Sequence, residues 1–373
     1  MFEPCIPGVV PRLSAGRASP ALPPTASRHI PSLDGIRAVS FMTVFGHHVW
    51  GRLIPGDLGV TVFFFLSGFL ITTLLRAEHE KNGTINLGHF WLRRALRILP
   101  PLYLVVLAAA LLALVVYPPG TVYGPAIAAQ LLFYANYWYI YGGHPQIPGT
   151  IVVWSLAVEE TFYLMFPLLF FALQRRCVSR KHQALLLWGL CTAVLAWRCA
   201  LVGVAHAPSV RILYGTDTRI DSILFGCALA VWGNPVLDEP KLATNLLKYL
   251  LLPVALVLLI GCAYSRDTIF IDTWSFSVEG AALTLLFIGA VRFYNWPPFR
   301  FLNYRPVAFI GVLSYSLYLV HAVLLLALDQ VWKLPHASQR GAVALAASLI
   351  VAWTIYRLVD LPCARLRKRL TDW

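Results

Sequence analysis

The sequence predicts an all-α protein, a polytopic bundle of about ten transmembrane helices with both termini in the cytoplasm. Of its 373 residues, 58% are hydrophobic and only 13% are charged, whereas a soluble domain carries about 25% charged residues. The apolar residues form runs of roughly 17–25, the length that crosses a bilayer as a helix. Lys and Arg cluster in the short segments between these runs, as they do in cytoplasmic loops.

Ten apolar runs are long enough, or nearly long enough, to cross the membrane. They cover residues 35–53, 58–75, 98–117, 156–174, 184–204, 218–233, 249–264, 275–291, 307–328 and 341–359. The first run is interrupted by Gly46, His47 and His48. Polar groups at membrane depth are expensive, so they mark candidate functional positions.

Residues 124–141 form a further apolar and aromatic segment, and its path sets the orientation of the later helices. If this segment crossed the membrane, the four basic residues within 175–183 would lie outside. If it does not cross, they lie in the cytoplasm together with the basic segment 292–305 and the C-terminal sequence RLRKRL. The positive-inside rule therefore predicts that residues 118–152 form an interfacial or re-entrant segment on the outer side.

Three segments are predicted along the chain. Residues 1–31 are rich in Pro, Ala, Ser and Arg and contain no apolar stretch of signal-peptide length, so we expect a disordered cytoplasmic tail. Residues 32–365 form the transmembrane domain, and residues 366–373 form a basic cytoplasmic tail. The expected location is the inner, cytoplasmic membrane, with several passes through the bilayer.

The formal net charge of +13 does not indicate a nucleic-acid ligand, because the basic residues do not form one soluble face. A basic cytoplasmic rim instead attracts an anionic cosubstrate. The seven cysteines include no C-x-x-C pair, and most lie inside apolar runs. They are predicted to be small buried residues, with no disulfide framework and no metal site.

Arg37 and His48 in the first span are eleven residues apart. In a helix this spacing leaves the two side chains about 20° apart on one face and about 16 Å apart along the axis, whereas His47 is turned about 80° aside. A packed, hydrogen-bonded histidine would account for His48 alone. Its alignment with an arginine in a costly span favours a functional pair.

Three arginines, Arg93, Arg94 and Arg97, lie at the cytoplasmic mouth of the third span. Their i,i+3 and i,i+4 spacing predicts one guanidinium cluster, which suits phosphate groups. Anchoring by the positive-inside rule alone explains them equally well on spacing. In the second span, Ser67 is either a packing residue beside Gly68 or a polar group of a site.

Further polar residues occur in later spans. Glu159 faces Tyr163 at i+4, and Glu160 reaches the same tyrosine at i+3. Alternatively, one of these carboxylates pairs with an arginine to hold the helix bundle together, and Arg219 is the candidate partner. Asp217, Arg219 and Asp221 open the sixth span at a similar depth. His321 shares a helical stripe with Tyr318 and is expected near the depth of His48, in either a structural or a functional hydrogen bond.

Seven segments together resemble the membrane acyltransferase 3 family, which includes O-antigen and other surface-glycan O-acetyltransferases and macrolide acyltransferases. They are LDGIRAVSFMTVFGHH, GVTVFFFLSGFLITTLLR, FWLRRALRILPPLYL, WSLAVEETFYLMFP, TDTRIDSILFGCALA, IGVLSYSLYLVHAVLL and YRLVDLP. Their order and spacing carry the resemblance, which covers roughly residues 32–365. Thr161 stands where the family more usually has Gln, and Asp360 stands where it commonly has Glu.

The resemblance implies an Arg-x10-His pair, here Arg37 and His48, and an Arg-Arg-x-x-Arg cluster near the acyl-CoA entry, here Arg93, Arg94 and Arg97. It implies no permanently bound cofactor, with acyl-CoA, expected to be acetyl-CoA, as cosubstrate. The acceptor would be a carbohydrate or another molecule that bears hydroxyl groups. The function predicted from the sequence is therefore O-acyl transfer in the membrane.

In that mechanism His48 is the general base on the acceptor hydroxyl, or alternatively carries the acyl group covalently. Arg37 contacts the donor or orients this face of the first helix, and Ser67 is a candidate to polarise the thioester. The remaining candidate catalytic residues are Glu159, Glu160, Tyr163 and His321, and Asp217, Arg219 and Asp221 are candidates for binding the acceptor.

Two other classes of protein are alternatives. Intramembrane Arg, His and Glu also occur in proton-coupled secondary transporters, which often show internal repeats. We recognise no such repeat in the sequence. A scaffold or receptor that has lost catalysis is disfavoured by the intact Arg37–His48 pair.

Overall fold

The computed structural model describes residues 30, 32–142, 147–332 and 335–371. Within those residues all regular secondary structure is helical, which confirms the predicted all-α class. Apart from Ile30, the predicted N-terminal tail lies outside the described residues. Residues 366–371 of the predicted C-terminal tail belong to the last helix.

Long and short helices alternate along the chain. They are α1 (Leu33–Trp50), α2 (Gly56–Asn82), α3 (Leu87–Val116), α4 (Gly124–Leu131), α5 (Ala135–Tyr141), α6 (Trp154–Arg175), α7 (Arg180–Gly203), α8 (Ser209–Tyr214), α9 (Thr216–Val231), α10 (Thr244–Leu246), α11 (Leu252–Tyr264), α12 (Thr268–Asp272), α13 (Ser275–Arg292), α14 (Pro297–Arg300), α15 (Arg305–Trp332), α16 (Ala337–Ile355) and α17 (Leu361–Thr371). π-helical turns at Leu247–Leu251 and Tyr356–Asp360 join α10 to α11 and α16 to α17.

Each of the ten predicted spans falls largely on one helix, which at residues 249–264 is α11 together with the π-helical turn before it. In the described part of the chain, eight helical segments are long and apolar enough to cross a membrane. The other two predicted spans are α1, which carries four ionisable side chains, and α9, which has only 16 residues. Both are surrounded by protein, α1 by α2, α15 and α16, and α9 by α2, α7 and α13. Neighbouring helices therefore cover much of both helices, including Arg219 and Asp221 of α9.

The segment between α3 and α6 contains two short helices instead of one long one. α4 has eight residues and α5 has seven, so they extend only about 12 and 11 Å. Neither can cross a bilayer core of about 30 Å by itself. This supports the interfacial or re-entrant interpretation of residues 118–152, and the side of the membrane on which they lie stays a prediction.

The backbones of α2 and α9 touch at two glycines. A Cβ atom on Gly68 would lie 2.0 Å from the carbonyl oxygen of Ile223, and one on Gly226 would lie 2.1 Å from that of Phe65. Small residues allow such close approach between membrane helices. The packing role predicted for Gly68 is confirmed, and this contact fixes the position of Ser67, the next residue in α2.

One cysteine departs from the expectation. Cys177 is disulfide-bonded, so the prediction that the chain forms no disulfide is wrong at this position. It lies in the exposed turn between α6 and α7, outside the apolar runs on which that prediction rested. Cys191, Cys199, Cys227, Cys262 and Cys363 are free thiols.

Candidate active site

A cavity of about 90 Å³ lies between α1, α2, α3, α6 and α15. Apolar side chains of α2 form much of its wall, and polar side chains enter it from every one of the five helices. The polar lining consists of Arg37, Ser67, Arg94, Arg97, Ser155, Glu159, Tyr163, Ser314, Tyr315 and Tyr318. Six of the ten residues selected from the sequence for catalysis or donor binding therefore meet in this cavity, namely Arg37, Ser67, Arg94, Arg97, Glu159 and Tyr163.

Ser67, Glu159 and Tyr163 form a closed hydrogen-bonded cluster in this cavity. The Ser67 hydroxyl donates to Oε1 of Glu159 at 2.7 Å. The Tyr163 hydroxyl lies 3.1 Å from Oε2 of Glu159 and 3.0 Å from Oγ of Ser67. The predicted i+4 pairing of Glu159 with Tyr163 is confirmed, and a serine from a different helix completes the group.

The arginines are not arranged as one fork. Arg94 lines the cavity and stacks on Tyr163, with its guanidinium carbon 5.0 Å from the ring centroid. Arg97 lines the same cavity, whereas Arg93 donates to Oε2 of Glu78 at 3.1 Å. Arg37 lines the cavity beside Arg94 and Arg97, and Arg93 shares a face of α3 with Arg97 at i,i+4. Donor binding by Arg93, Arg94 and Arg97 stays a prediction.

A second cavity, of about 270 Å³, continues from the first and shares Arg37, Arg97 and Tyr315 with it. Asp34, Asp360 and Arg367 also line it. Asp34 is paired with Arg37 at 2.9 Å, and Asp360 accepts a hydrogen bond from Ser316. Asp360 belongs to the π-helical turn, a type of irregularity that is frequent at functional sites.

His48 lies outside both cavities, in the last turn of α1, and its side chain is exposed. Its ring centroid is 5.2 Å from that of His321, which is buried and lies 5.8 Å from that of Tyr318. Tyr318 in turn lines the first cavity. The predicted proximity of His321 to His48 is confirmed, and the two histidines continue the line of polar side chains from the cavity to the far end of α1.

The two adjacent histidines have different surroundings. Nδ1 of His47 is 2.8 Å from the carbonyl oxygen of Ile54. A Cβ atom on Gly56 would lie 2.6 Å from Cβ of His47, so this ring packs in the corner between α1 and α2. His47 therefore has a structural environment, whereas His48 faces His321 and the exterior.

Glu160, unlike Glu159, does not line the cavity. Its Oε1 is buried and has no hydrogen-bond partner among the described residues. Arg219 is not the partner of Glu159 or Glu160, so the alternative that one of these carboxylates forms an ion pair with Arg219 is excluded. Its Nη2 donates to Thr61 at 3.1 Å, and its guanidinium lies 3.6 Å above the Phe276 ring.

The two aspartates of α9 also lie away from the cavity. Asp217 accepts hydrogen bonds from Arg211 at 2.5 Å and from Trp197 at 2.7 Å. Asp221 is fully buried in an ion pair with Arg198, with contacts of 2.9 and 2.7 Å. Arg219 and Asp221 are both fully buried, and binding of an acceptor by Asp217, Arg219 and Asp221 stays a prediction.

Sequence reasoning missed several polar residues of these sites. Arg198 and Glu279 are buried charges inside apolar runs, a signal of the same kind that drew attention to Glu159. Arg367 was interpreted only as part of a basic tail. Ser155 and Tyr315 gave no signal, because single serines and tyrosines are common in membrane helices.

Comparison with known proteins provides an independent line of evidence. Residues 30–357 match the model of a family described as an acyltransferase domain. The chain is 29% identical over 358 residues to the peptidoglycan O-acetyltransferase OatA of Listeria monocytogenes, covering 90% of this chain and 56% of that protein. It is 31% identical over 309 residues to the O-acetyltransferase OatA of Staphylococcus aureus, covering 79% of this chain and 50% of that protein. The chain thus spans about half the length of these relatives, and no solved structure matches it.

Proposed function

Because the chain belongs to the membrane acyltransferase 3 family, whose model matches residues 30–357, we propose that it transfers an acyl group, expected to be acetyl, to a hydroxyl of a glycan. The donor is acyl-CoA bound from the cytoplasm, and the acceptor is reached from the outer side of the cell membrane. The name of the Listeria relative, a peptidoglycan O-acetyltransferase, supports a cell-wall or other surface glycan as the acceptor class. Family membership outweighs the alternative of a proton-coupled transporter.

The observation that carries this proposal is the pair of joined cavities. One end is lined by Arg37, Arg97 and Arg367, and the other contains the cluster of Ser67, Glu159 and Tyr163. An acyl-CoA has phosphates at one end and a thioester at the other. Guanidinium groups suit phosphates because they donate charge-assisted hydrogen bonds. The same molecule then places its thioester toward the hydroxyl-bearing end.

In the cluster, the Glu159 carboxylate holds the Ser67 hydroxyl in one orientation and competes with Ser67 for the Tyr163 proton. Two hydroxyl donors fixed in a site sheltered from water are suited to stabilise negative charge on a thioester oxygen. Arg94, which stacks on Tyr163, adds positive charge on the same side. Each hydroxyl carries one proton, so Ser67 and Tyr163 donate to the thioester carbonyl of an arriving donor by turning away from Glu159, and the acyl group then passes beyond this cluster to an acceptor at His48.

At the other end of α1, His48 is the general base for the acceptor. Neutral imidazole takes the hydroxyl proton as the acceptor oxygen attacks the acyl carbon, and the same proton can then neutralise the departing thiolate. Its exposure allows an acceptor outside the bundle to reach it. Transfer through an acyl-histidine is the alternative route with the same residues.

The proposal is tested by reconstituting the purified protein in liposomes with acetyl-CoA labelled in the acetyl group on one side and glycan fragments on the other. We expect label to appear on the glycan in a form that mild alkali releases, because the product is an ester. The proposal would be contradicted if the label stayed with acetyl-CoA for every glycan fragment offered while the protein was monodisperse and folded.

The arginine arrangement makes a separate prediction about donor affinity. Arg97→Gln is expected to weaken acyl-CoA binding about tenfold or more, because a hydrogen bond to a charged group contributes roughly 1.5–3 kcal/mol. Arg93→Gln removes the same charge four residues earlier, but Arg93 is engaged by Glu78. It should therefore change donor affinity far less. Calorimetric titration of both variants at low and high salt compares them, and equal weakening would restore the single cluster predicted from the sequence.

A further inference from the structure

A groove of about 610 Å³ lies between α9, α13 and the segment that joins α9 to α11, with Trp188 of α7 at its edge, apart from the two cavities described above. Its walls include Ala228 and Leu229 of α9 and Ile288 of α13. It shares no lining residue with either of those cavities. α7 and α11 leave most of their apolar surface uncovered by protein, so the groove opens toward the space that lipid occupies.

Cationic and aromatic side chains line one end of this groove. Nζ of Lys241 lies 3.5 Å from the centroid of the Trp232 ring. Arg292 donates to the carbonyl oxygen of Asp238 at 2.9 Å, and its Nε is buried without a hydrogen-bond partner among the described residues. Lys248 is close by, with Nζ 4.5 Å from the Phe293 ring centroid.

The acidic side chains at this end do not cancel the positive charge. Asp238 is neutralised by Arg76, with a contact of 2.5 Å, and lies 3.5 Å from Arg180. Glu239 lines a smaller adjoining groove together with Arg180 and Lys181. Across the two grooves the charged lining residues are therefore four basic ones (Arg180, Lys181, Lys241 and Arg292) and two acidic ones (Asp238 and Glu239).

We infer that this groove is a binding site for an anionic phospholipid. Its phosphate lies at Lys241 and Arg292, and one acyl chain lies along the apolar wall formed by α9 and α13. Basic pockets between membrane helices on the cytoplasmic side are suited to anionic headgroups, and tryptophan is enriched at the membrane interface. The positive-inside rule places the segments that carry Lys241 and Arg292 in the cytoplasm, where anionic lipids are found. The inference does not rest on the proposed catalytic activity.

Native mass spectrometry of the intact protein tests the inference. The protein is released from bilayers that contain equal amounts of phosphatidylglycerol and phosphatidylcholine, and bound lipids are counted. We expect phosphatidylglycerol to be retained preferentially by the unaltered protein. The double variant Lys241→Gln, Lys248→Gln should reduce that retention about tenfold, since each basic residue near the surface contributes to the attraction of anionic lipid.

Two further variants control for charge and for space. Lys368→Gln with Arg369→Gln removes the same charge from exposed positions of α17 and should leave the retained phosphatidylglycerol unchanged. Thr284→Trp places a large ring in the groove and should release the lipid while all the charges remain. Circular dichroism confirms that each variant is folded. Should the Lys241 and Lys248 variant fail to fold, Thr284→Trp alone decides whether the groove holds the lipid.

Three results would overturn the inference. The first is equal retention of the two lipids by the unaltered protein. The second is an equal loss of phosphatidylglycerol in the α17 control, which would mean a diffuse surface effect. The third is displacement of the lipid by millimolar glycerol phosphate, because the groove would then recognise a phosphate without its acyl chains.

Discussion

Glu159→Gln is expected to slow acyl transfer about 100- to 1,000-fold, the loss that typically follows removal of one preorganised stabilising contact. The carboxylate accepts the Ser67 hydroxyl at one oxygen and faces the Tyr163 hydroxyl with the other. An amide of the same size turns an NH₂ group toward one of these partners, so both hydroxyls can no longer be held as donors. Turnover should fall while the affinity for the donor changes little, because the phosphates are bound by arginines further along the cavity.

The neighbouring carboxylate is the matched comparison for this experiment. Glu160 precedes Thr161 in the same helix but does not line the cavity, so Glu160→Gln should cost much less turnover. Ser67→Ala and Tyr163→Phe each remove a single hydroxyl and are expected to give intermediate losses. Steady-state measurement of kcat and KM on all four variants separates the role of each side chain. A loss of turnover for Glu160→Gln as large as that for Glu159→Gln would contradict the positioning role of Glu159.

His48→Ala is expected to reduce turnover by at least about two orders of magnitude, since a general base typically contributes 10²–10⁴-fold. The donor should still bind, because Arg37 and Arg97 lie at the opposite end of α1 from His48. The adjacent His47 has the same chemistry but packs against α2 and contacts the Ile54 carbonyl oxygen. His47→Ala should therefore lower stability by about 1 kcal/mol, the net contribution of a typical hydrogen bond, and change turnover little.

Both histidine variants are assayed in the same liposome preparation, with thermal unfolding followed in parallel. This pairing separates a chemical loss from a structural one. If His47→Ala lost as much turnover as His48→Ala at equal folded fraction, the face shared by Arg37 and His48 would not be the catalytic face.

The features that the sequence predicted well are those that depend on one helix. The ten apolar runs correspond to helices because backbone polar groups in an apolar environment must be hydrogen-bonded within their own segment. The pairing of Glu159 with Tyr163 follows from the i+4 spacing. The separation of His47 from His48 follows from the helical rotation of about 100° per residue.

The features that it did not predict depend on which helices become neighbours. The partner of Arg93 is Glu78, fifteen residues away on α2, and the partner of Asp221 is Arg198 on α7. Ser67 joins Glu159 from 92 residues away. Spacing along one helix contains no information about such contacts, and so the sequence did not predict that Arg93 pairs with Glu78 or that Arg37 lines the same cavity as Arg97.

The uninterrupted α1 helix has a consequence for the choice of donor. Because it runs without a break from Leu33 to Trp50, the rise of about 16 Å between Arg37 and His48 is constant. A donor anchored by its phosphates near Arg37 must therefore carry its acyl group on a long flexible arm to approach an acceptor oxygen at His48. A compact anionic donor, such as an acyl phosphate, would satisfy the arginines and still fall short. Under the proposed function, α1 would therefore select acyl donors by the length of the arm between their phosphates and their acyl group.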